Sequence, residues 1–432
     1  MRDLKEASAK MEELLREAGI EKYALEVSES EKRELNTENG AFVLFRTIFD
    51  AKAQVSAFAG SRKGSAAGND LSDEGLAKLI TEACASAESA EDDDANDIAP
   101  DQGERCFAAG PEEADMERFY ERLDEMSRAI AEEFPKVVVM QIIAFHEKKH
   151  TLYRNSNGTQ FDCVDGAYEV ELEFSAFEGD RGTGLAYTGF SVHDLDIPFL
   201  EMCDLRKQLA DAEASLNVTG ISEKFEGQVI FTPQAAATFA YMLAENYMGA
   251  SRILAGESMW LDKVGEKVAS DKFTVSLKAE DPRLVQTEHF TSDGFAAENV
   301  ALIENGVLKS HMLNLYVANK TGRPVTKNSS MSFVIEPGDT PYAEMLAKMK
   351  RGLIVGGFSG GEPGANGEFS GVAKNSFYVE DGKILGAVNE VMISGNLAGL
   401  FERMTDLSSE LVTDGSMAAP YIMTDGVVIS GQ

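Results

Sequence analysis

The chain has 432 residues, with 40 Lys and Arg against 73 Asp and Glu, so its net charge at pH 7 is −33. A chain of this length exceeds what one ordinary hydrophobic core holds, so two domains are expected. DNA binding needs cationic side chains that neutralise phosphates, and the sequence has no basic cluster, so the composition argues against direct nucleic acid binding. No run approaches the roughly 18 apolar residues of a membrane span, and no membrane association is expected.

Cysteine usage and the start of the chain predict a cytoplasmic protein. The four cysteines are widely spaced and fit neither a disulfide framework nor a CxxC metal pair. They are Cys84, Cys106, Cys163 and Cys203. The first 19 residues predict a charged amphipathic helix without the apolar region of a signal peptide. We therefore expect reduced thiols and a cytoplasmic location.

The first half of the chain predicts alternating helices and strands. Strands are predicted over 23–27, 42–49 and 51–59, with a turn at 38–40, a loop at 60–64, a helix capped by Ser72, an acidic loop over 88–111 and a helix over 112–134. Further along, 168–177 alternates as a strand does, and 205–216 predicts a helix. We expect this helix to close an N-terminal α+β domain, 1–216, with 217–227 as the linker.

One string within this half matches a zinc protease pattern. His146, Glu147 and His150 spell HEKKH, which has the HExxH spacing. The pattern holds zinc only on a helix, where positions i and i+4 share a face beside the Glu. A β-branched run over 137–145 and a turn signal at 155–158 favour strands instead. We predict a strand, a polar turn at 147–149 and a second strand, with both His exposed near a hairpin tip; a metal site is the alternative.

The second domain, 217–432, is predicted to be mostly antiparallel β, as a sandwich or distorted barrel with one core helix, which makes the whole chain α+β. It opens with a strand over 228–231 and a helix from Pro233 to Met248, capped by Thr232 and followed by a left-handed Gly249. Apolar residues at helical spacing mark the buried side of this helix. They are Phe239, Met242, Leu243 and Tyr247.

Glycine pairs mark the turns of this β domain. Hairpins are predicted around the Asn-Gly and Asp-Gly turns at 304–306 and 380–382. The glycine-rich segment 356–364 is open to two interpretations, a cleft wall that a peptide backbone approaches closely or a flexible connection. His289, His311 and Trp260 are interpreted as structural residues.

Several strings of the sequence together resemble the TldD/PmbA family, often labelled "modulator of DNA gyrase". They are NSNG at 155–158, KVGEKVAS at 263–270, LIENGVLKSHMLNLYVANK at 302–320, NGEFSGVAKNSFYVEDGKI at 366–384 and ISGNL at 393–397. In the TldD branch, the helix after the strand that corresponds to 228–231 carries HExxxH, whose two His bind zinc while the Glu acts as general base. Here those positions are Tyr241, Met242 and Asn246. The chain therefore resembles the PmbA branch, also called TldE.

The resemblance implies a non-catalytic subunit that pairs with a TldD-like subunit and processes unfolded or modified peptides. A catalytic zinc needs about three protein ligands of the His, Cys or carboxylate type. The family's third ligand is a Cys near the C-terminus, and this chain has no Cys after Cys203. Tyr241, Met242, Glu245 and Asn246 are thus interpreted as remains of a site, with no metal or cofactor in this chain and zinc in the partner.

Two other functions stay open at this point. One is an independent zinc peptidase that uses HEKKH, and the other is a peptide-binding scaffold that forms a homodimer. Any effect on gyrase is expected to be indirect, through the peptides or proteins that the complex degrades. A homodimer or a heterodimer is expected, with peptides as substrates.

Overall fold

The computed structural model of the chain describes residues 3–431. Residues 1, 2 and 432, which the predicted domains and first helix include, lie outside that range. The helices are α1 (Leu4–Glu17), α2 (Asp73–Ser89), α3 (Met116–Glu133), α4 (Leu205–Ala214), α5 (Pro233–Tyr247), α6 (Ala250–Ala255), α7 (Leu315–Thr321), α8 (Tyr342–Lys348) and α9 (Leu397–Glu402). None of these helices is long and apolar enough to cross a lipid bilayer.

The strands form two sheets that follow one another along the chain. The first contains β1 (Lys22–Glu38), β2 (Ala41–Ala59), β3 (Arg62–Gly68), β4 (Glu104–Ala109), β5 (Val137–Asn155), β6 (Gln160–Glu178), β7 (Arg181–Gly182) and β8 (Ala186–Val192). The second contains β9 (Lys224–Phe231), β10 (Val275–Leu277), β11 (Val300–Glu304), β12 (Val307–Leu308), β13 (Phe333–Ile335), β14 (Arg351–Val355), β15 (Gly357–Ser359), β16 (Glu368–Lys374), β17 (Ser376–Glu380), β18 (Lys383–Val388), β19 (Met392–Asn396), β20 (Met404–Thr413) and β21 (Ala418–Ser430). The predicted α+β class is confirmed. The division into domains at 216/217 stays a prediction.

The first sheet has the order β3-β2-β1-β5-β6-β4, with β7 and β8 also paired to β6. Its strands are longer than predicted. The expected break between 42–49 and 51–59 is absent because Asp50 continues the ladder opposite Ser30. The expected loop at 60–64 is shorter, because Arg62, the first residue of β3, already pairs with Ala59, the last residue of β2. The expected acidic loop over 88–111 contains β4, which runs parallel to β6.

Helices cover one face of this sheet. The apolar side of α3 packs on β5 and β6, with Phe119 and Leu123 against Ile142 and Leu172. α1 and α2 cover the other end of the same face. The β1 residues that pack against them alternate in step with the β1 residue that packs against α3, so all of them point to one side of the sheet. The opposite face is partly covered by the second half of the chain, where Phe290 joins a cluster of buried residues on β5 and β6.

The second sheet is mostly antiparallel, with parallel pairs β9–β14 and β13–β21. Its pairing path closes on itself: β9 pairs with β14, β15 continues β14 after Gly356 and pairs with β16, β16 with β19, β19 with β21, and β21 with β9. Such a closed path agrees with the predicted distorted barrel. The expectation of one core helix is incomplete, because α6 to α9 accompany α5.

The ends of α5 show why this segment is helical. The Thr232 side chain accepts a hydrogen bond from the Ala235 N–H at 3.4 Å, and Pro233 occupies the first turn. The prediction of a left-handed Gly249 is wrong, since its φ is −65° and it caps α6 instead. A Cβ at Gly249 would lie 2.6 Å from the Glu245 carbonyl oxygen, so close packing explains the glycine.

Both predicted hairpin turns form. Asn305 and Gly306 have φ of 49° and 77°, and Asp381 and Gly382 have φ of 47° and 73°, the left-handed pairs of a primed turn. The strand after the first turn is only two residues long, because α7 begins soon after. The predicted linker 217–227 is also partly strand: β9 begins at Lys224, and Thr219 donates to the Ala387 carbonyl at 2.7 Å.

Candidate functional site

The degenerate motif lies on the second half of α5 and spans its exposed and buried sides. Tyr241 is 44% exposed, and Glu245, one turn later, is exposed on the same side. Met242 is half-buried against the core, and Asn246 is buried. The helical periodicity of 3.6 residues places Met242 and Asn246 on one face and Tyr241 and Glu245 on a neighbouring face.

These side chains do not fit a zinc ion. The thioether of Met242 cannot accept a proton from a metal-bound water, and a neutral amide is a poor substitute for an imidazole ligand. Within residues 3–431, no three His, Cys, Asp or Glu side chains come together so that they could hold a metal ion. Tyr241, Met242 and Asn246 thus do not supply the chemical groups that hydrolysis by zinc requires.

The end of α5 meets two of the family strings. The Asn396 amide donates to the Asn366 carbonyl at 2.9 Å, and the Leu397 N–H donates to the Gly367 carbonyl at 2.8 Å. A Cβ at Gly367 would lie 1.9 Å from the Tyr247 hydroxyl, so only glycine fits there. The strings at 366–384 and 393–397 therefore form the wall against which the last turn of α5 packs.

Within residues 3–431, two polar atoms in this contact region have no hydrogen-bond partner of normal geometry. They are the Asn246 Nδ2 and the Tyr247 hydroxyl, both buried. The ring of Tyr247 stacks on Trp260 with 4.5 Å between centroids, and its backbone carbonyl accepts from the Ser258 hydroxyl at 2.6 Å. Burial raises the pKa of the Tyr247 phenol, so this hydroxyl stays protonated near neutral pH. The side chains of Asn246, Tyr247 and Trp260 are uncharged, while the Glu368 carboxylate lies beside them and accepts from the Asn396 amide at 3.1 Å.

The HEKKH string lies in the middle of β5, and the predicted turn at 147–149 is wrong. The five residues pair continuously with 29–33 of β1 and with 164–168 of β6. On a strand, positions i and i+4 are about 13 Å apart, and the Glu between them points to the opposite face. The string is therefore not on a helix, as predicted, and His146 and His150 cannot share a metal ion with Glu147.

The two His of the string also differ from the expected exposed pair. His146 is only 2% exposed, and its Nε2 lies 2.9 Å from the Pro111 carbonyl. Burial lowers the pKa of His146, so the ring is neutral near pH 7. His150 is half-buried, with its Nε2 2.8 Å from the Asp162 carboxylate. Each imidazole is engaged in a structural contact of its own.

The other singled-out residues have structural contacts. The His289 Nε2 lies 2.7 Å from the Asp165 carboxylate, and the His311 Nε2 lies 3.0 Å from the Trp260 carbonyl. Trp260 itself is fully buried in the main core of the second sheet. These contacts agree with the structural interpretation of all three residues.

The sequence did not indicate one concave feature beside α5, a cavity of about 340 Å³ between the two halves of the chain. We call it the inter-sheet cavity. Gln234 and Thr238 on the first half of α5 form one wall, and Thr188, Asp204 and Gln208 from the N-terminal half face them. The exposed side of α5 thus lines this cavity with Gln234 and Thr238, and reaches Tyr241 one turn further along.

A polar contact across this cavity ties the two halves together. The Tyr421 hydroxyl donates to the Asp204 carboxylate at 2.6 Å. Asp204 and the preceding Cys203 both have positive φ, 60° and 41°, which non-glycine residues rarely adopt. The strained loop therefore aims Asp204 at β21, and no local sequence signal could have shown that.

Two ionisable groups of the cavity, the Cys203 thiol and the Tyr421 phenol, are poorly suited to catalysis. Burial raises the pKa of the Cys203 thiol to about 12, so the thiol is not a nucleophile at neutral pH. Burial and the negative charge of Asp204 raise the pKa of Tyr421 as well. Among the lining residues that the structure describes there is no His. Asp211 also lines the cavity, and burial raises the pKa of its carboxyl. The mixed apolar and polar lining is typical of a site that binds a peptide or another ligand.

The glycine-rich segment combines features of both of its interpretations. Gly356 lines the inter-sheet cavity, and its carbonyl accepts from the Thr232 hydroxyl at 3.3 Å. Residues 357–359 are β15, which pairs with β16 and is therefore not a loose connection. Gly360 and Gly361 turn the chain with φ of 74° and 63°. Gly356 therefore belongs to the cavity wall, while Gly360 and Gly361 form a turn.

Comparison with known proteins gives matches over both halves. Residues 224–431 match the family model of the PmbA/TldA metallopeptidase C-terminal domain. A relative from Haemophilus influenzae, "Metalloprotease PmbA homolog", is 24% identical over 397 residues, which are 88% of this chain and 86% of that protein. A relative from Saccharolobus solfataricus, "Zinc metalloprotease TldD homolog", is 26% identical over 299 residues, 64% of this chain and 65% of that protein.

The fold as a whole matches a solved structure. TldE from Thermococcus kodakarensis superposes with a TM-score of 0.85 at 23% identity, covering 98% of this chain and 100% of that one. The similarity therefore extends over both sheets and the helices between them.

Proposed function

Because this chain belongs to the TldD/PmbA family of metallopeptidases, we propose that it is the non-catalytic, PmbA/TldE-like subunit of a cytoplasmic zinc metalloprotease complex. Its partner is a TldD-type subunit that carries HExxxH and the zinc. Its own task is to complete the channel in which unfolded or modified peptides are bound and cut. The zinc-bound water of the partner supplies the hydrolytic chemistry.

The observation that carries this proposal is the state of α5. The helix keeps its N-cap, its buried stripe and its contacts with Gly367 and Trp260. Yet Tyr241, Met242 and Asn246 stand where the family's ligands and base would be. A helix that is well packed but lacks zinc ligands is what we expect of a subunit that acts through its surface and its cavity and not through a metal ion of its own.

The independent-peptidase alternative has no comparable support. Its candidate residues lie along one strand, where His146 and His150 are held by Pro111 and Asp162. No observation favours the scaffold alternative over the accessory subunit either. We therefore propose the accessory subunit alone.

The proposal is tested by cleavage of casein with the purified chain, with the TldD-type subunit from the same organism, and with both. We expect the chain alone to be inactive and the mixture to exceed the TldD-type subunit alone. A matched control replaces the Glu of the partner's HExxxH with Gln, which must abolish the activity of the mixture. Zinc-dependent cleavage by this chain alone would contradict the proposal.

A further inference from the structure

One edge of the first sheet is open over a long stretch. β1 covers one side of β2 from Ala41 to Phe58, whereas β3 covers the other side only from Ala53 to Ala59. Within residues 3–431, no strand pairs with that second side over 41–52. About half of the backbone N–H and C=O groups of these residues point to the open side. We call residues 41–52 the open edge.

The open edge is apolar, and little covers it. Ten of its twelve residues are classed as exposed, the exceptions being Leu44 and Ala51. Phe45 is 66% exposed and Phe49 is 59% exposed, and Phe42, Val43 and Ile48 are also exposed. The ring centroids of Phe42 and of the exposed Tyr120 on α3 are 4.6 Å apart, so the apolar surface extends onto the helix. A patch of this kind on a soluble protein marks an interaction site.

The usual protection of sheet edges is weak here. Natural edges carry inward-pointing charges, prolines or short strands that prevent pairing with another chain. The open edge has no proline, and its charged residues are Arg46, Asp50 and Lys52. Arg46 is already paired with Glu34 on β1. The edge is therefore left suitable for the addition of another strand.

We propose that the open edge is the docking site of the TldD-type partner, whose own edge strand adds to β2 and extends the first sheet across the two subunits. This inference rests on the function proposed above. The added strand must be extended, with apolar side chains that cover Phe45 and Phe49. The complex then has a continuous sheet, and the aromatic surface of β2 and α3 is buried in the interface.

Size and charge support this occupant. Twelve residues of strand are about 40 Å long. Three Phe side chains that each offer on the order of 100 Å² give about 300 Å², a large share of the roughly 800 Å² per partner of a standard interface. A second copy of this chain would bring another net charge of −33 to the surface, and like charges on this scale oppose self-association. A partner with a less negative net charge would meet less repulsion there than a second copy does.

The test compares two double variants in binding to the purified TldD-type subunit by calorimetry. Phe45→Glu/Phe49→Glu places charges on the open edge. Ile384→Glu/Leu385→Glu is the matched control, because both residues are exposed on β18, an edge strand of the other sheet. We expect the first variant to weaken binding at least about 10-fold and the control to bind as wild type does. Thermal unfolding checks that both variants are folded. We expect both to be folded, because neither change reaches the core.

Hydrogen exchange with mass spectrometry locates the contact independently of the variants. We expect the partner to slow amide exchange over 41–52 and to leave 53–59, already paired on both sides, unchanged. Equal binding of wild type and edge variant, with no protection of 41–52, would overturn the docking site while the proposed function stands. Failure of the wild-type chain to bind the TldD-type subunit would overturn both. Protection of 41–52 in the isolated chain that grows with its concentration would show a second copy on the edge and would also overturn the inference.

Discussion

The contact between Gly367 and Tyr247 gives the sharpest prediction about the remodelled site. In Gly367→Ala, the new Cβ lies 1.9 Å from the Tyr247 hydroxyl oxygen and 3.1 Å from Cζ. The residue also has φ of +80°, which costs alanine about 1–2 kcal/mol. Overpacking adds about 1–3 kcal/mol. The substitution should therefore lower the free energy of unfolding by about 2–5 kcal/mol.

A second substitution separates the two contributions. Tyr247→Phe removes an oxygen atom that makes no hydrogen bond of normal geometry within residues 3–431, so alone it should cost less than about 1 kcal/mol. In the double variant the closest contact is gone, and the backbone cost remains together with the milder 3.1 Å contact to Cζ. We expect a coupling energy of about 1–3 kcal/mol between the two positions.

The assay is urea unfolding of the wild type, both single variants and the double variant, followed by circular dichroism. The four midpoints and slopes give the coupling energy directly. Additive effects of the two substitutions would refute the reasoning, because they would show that the hydroxyl does not occupy the space next to Gly367.

Three further predictions concern the cavity, an ion-pair network and the lost motif. Tyr421→Phe removes the hydroxyl that donates to Asp204 at 2.6 Å and should lower the free energy of unfolding by about 1.5–3 kcal/mol in urea; no change would contradict the contact across the cavity. Hydrogen bonds from Arg283 lower the pKa of Asp281 to about 2, so their contribution is present above about pH 4 and is lost as the pH falls toward 2. The melting temperatures of wild type and Arg283→Ala should thus converge in acid, and a constant difference would argue against the network. Finally, Tyr241→His/Met242→Glu/Asn246→His restores HExxxH without the family's third ligand, and we expect no casein cleavage by this variant alone; zinc-dependent cleavage would contradict that.

Local signals were enough to predict α5 and the two hairpins. Thr232 and Pro233 specify a helix start, and Asn305-Gly306 and Asp381-Gly382 specify tight turns, whatever the rest of the chain does. The prediction of a left-handed Gly249 was wrong, because α6 follows at once and this residue is its N-cap. Such a choice depends on the residues beyond the helix rather than on its own pattern.

Long-range pairing explains the larger errors. The charged run of β5 resembled a turn, but Glu147 and Lys148 lie opposite Lys32 and Glu31 of β1, so the charges are matched across the strands. The inter-sheet cavity could not be predicted from the sequence either, because residues that meet across it, such as Asp204 and Tyr421, are 217 positions apart. The prediction that this chain lacks the zinc ligands came from the sequence alone, because the resemblance to the TldD branch fixes which three positions to inspect.

Metal content tests the central claim most directly. The purified chain, the TldD-type subunit and their complex are each analysed for zinc by mass spectrometry after removal of loosely bound ions. The account predicts no stoichiometric zinc in this chain and one zinc per complex of two chains. About one zinc in the isolated chain, lost on replacing His146 and His150 with Ala, would contradict it.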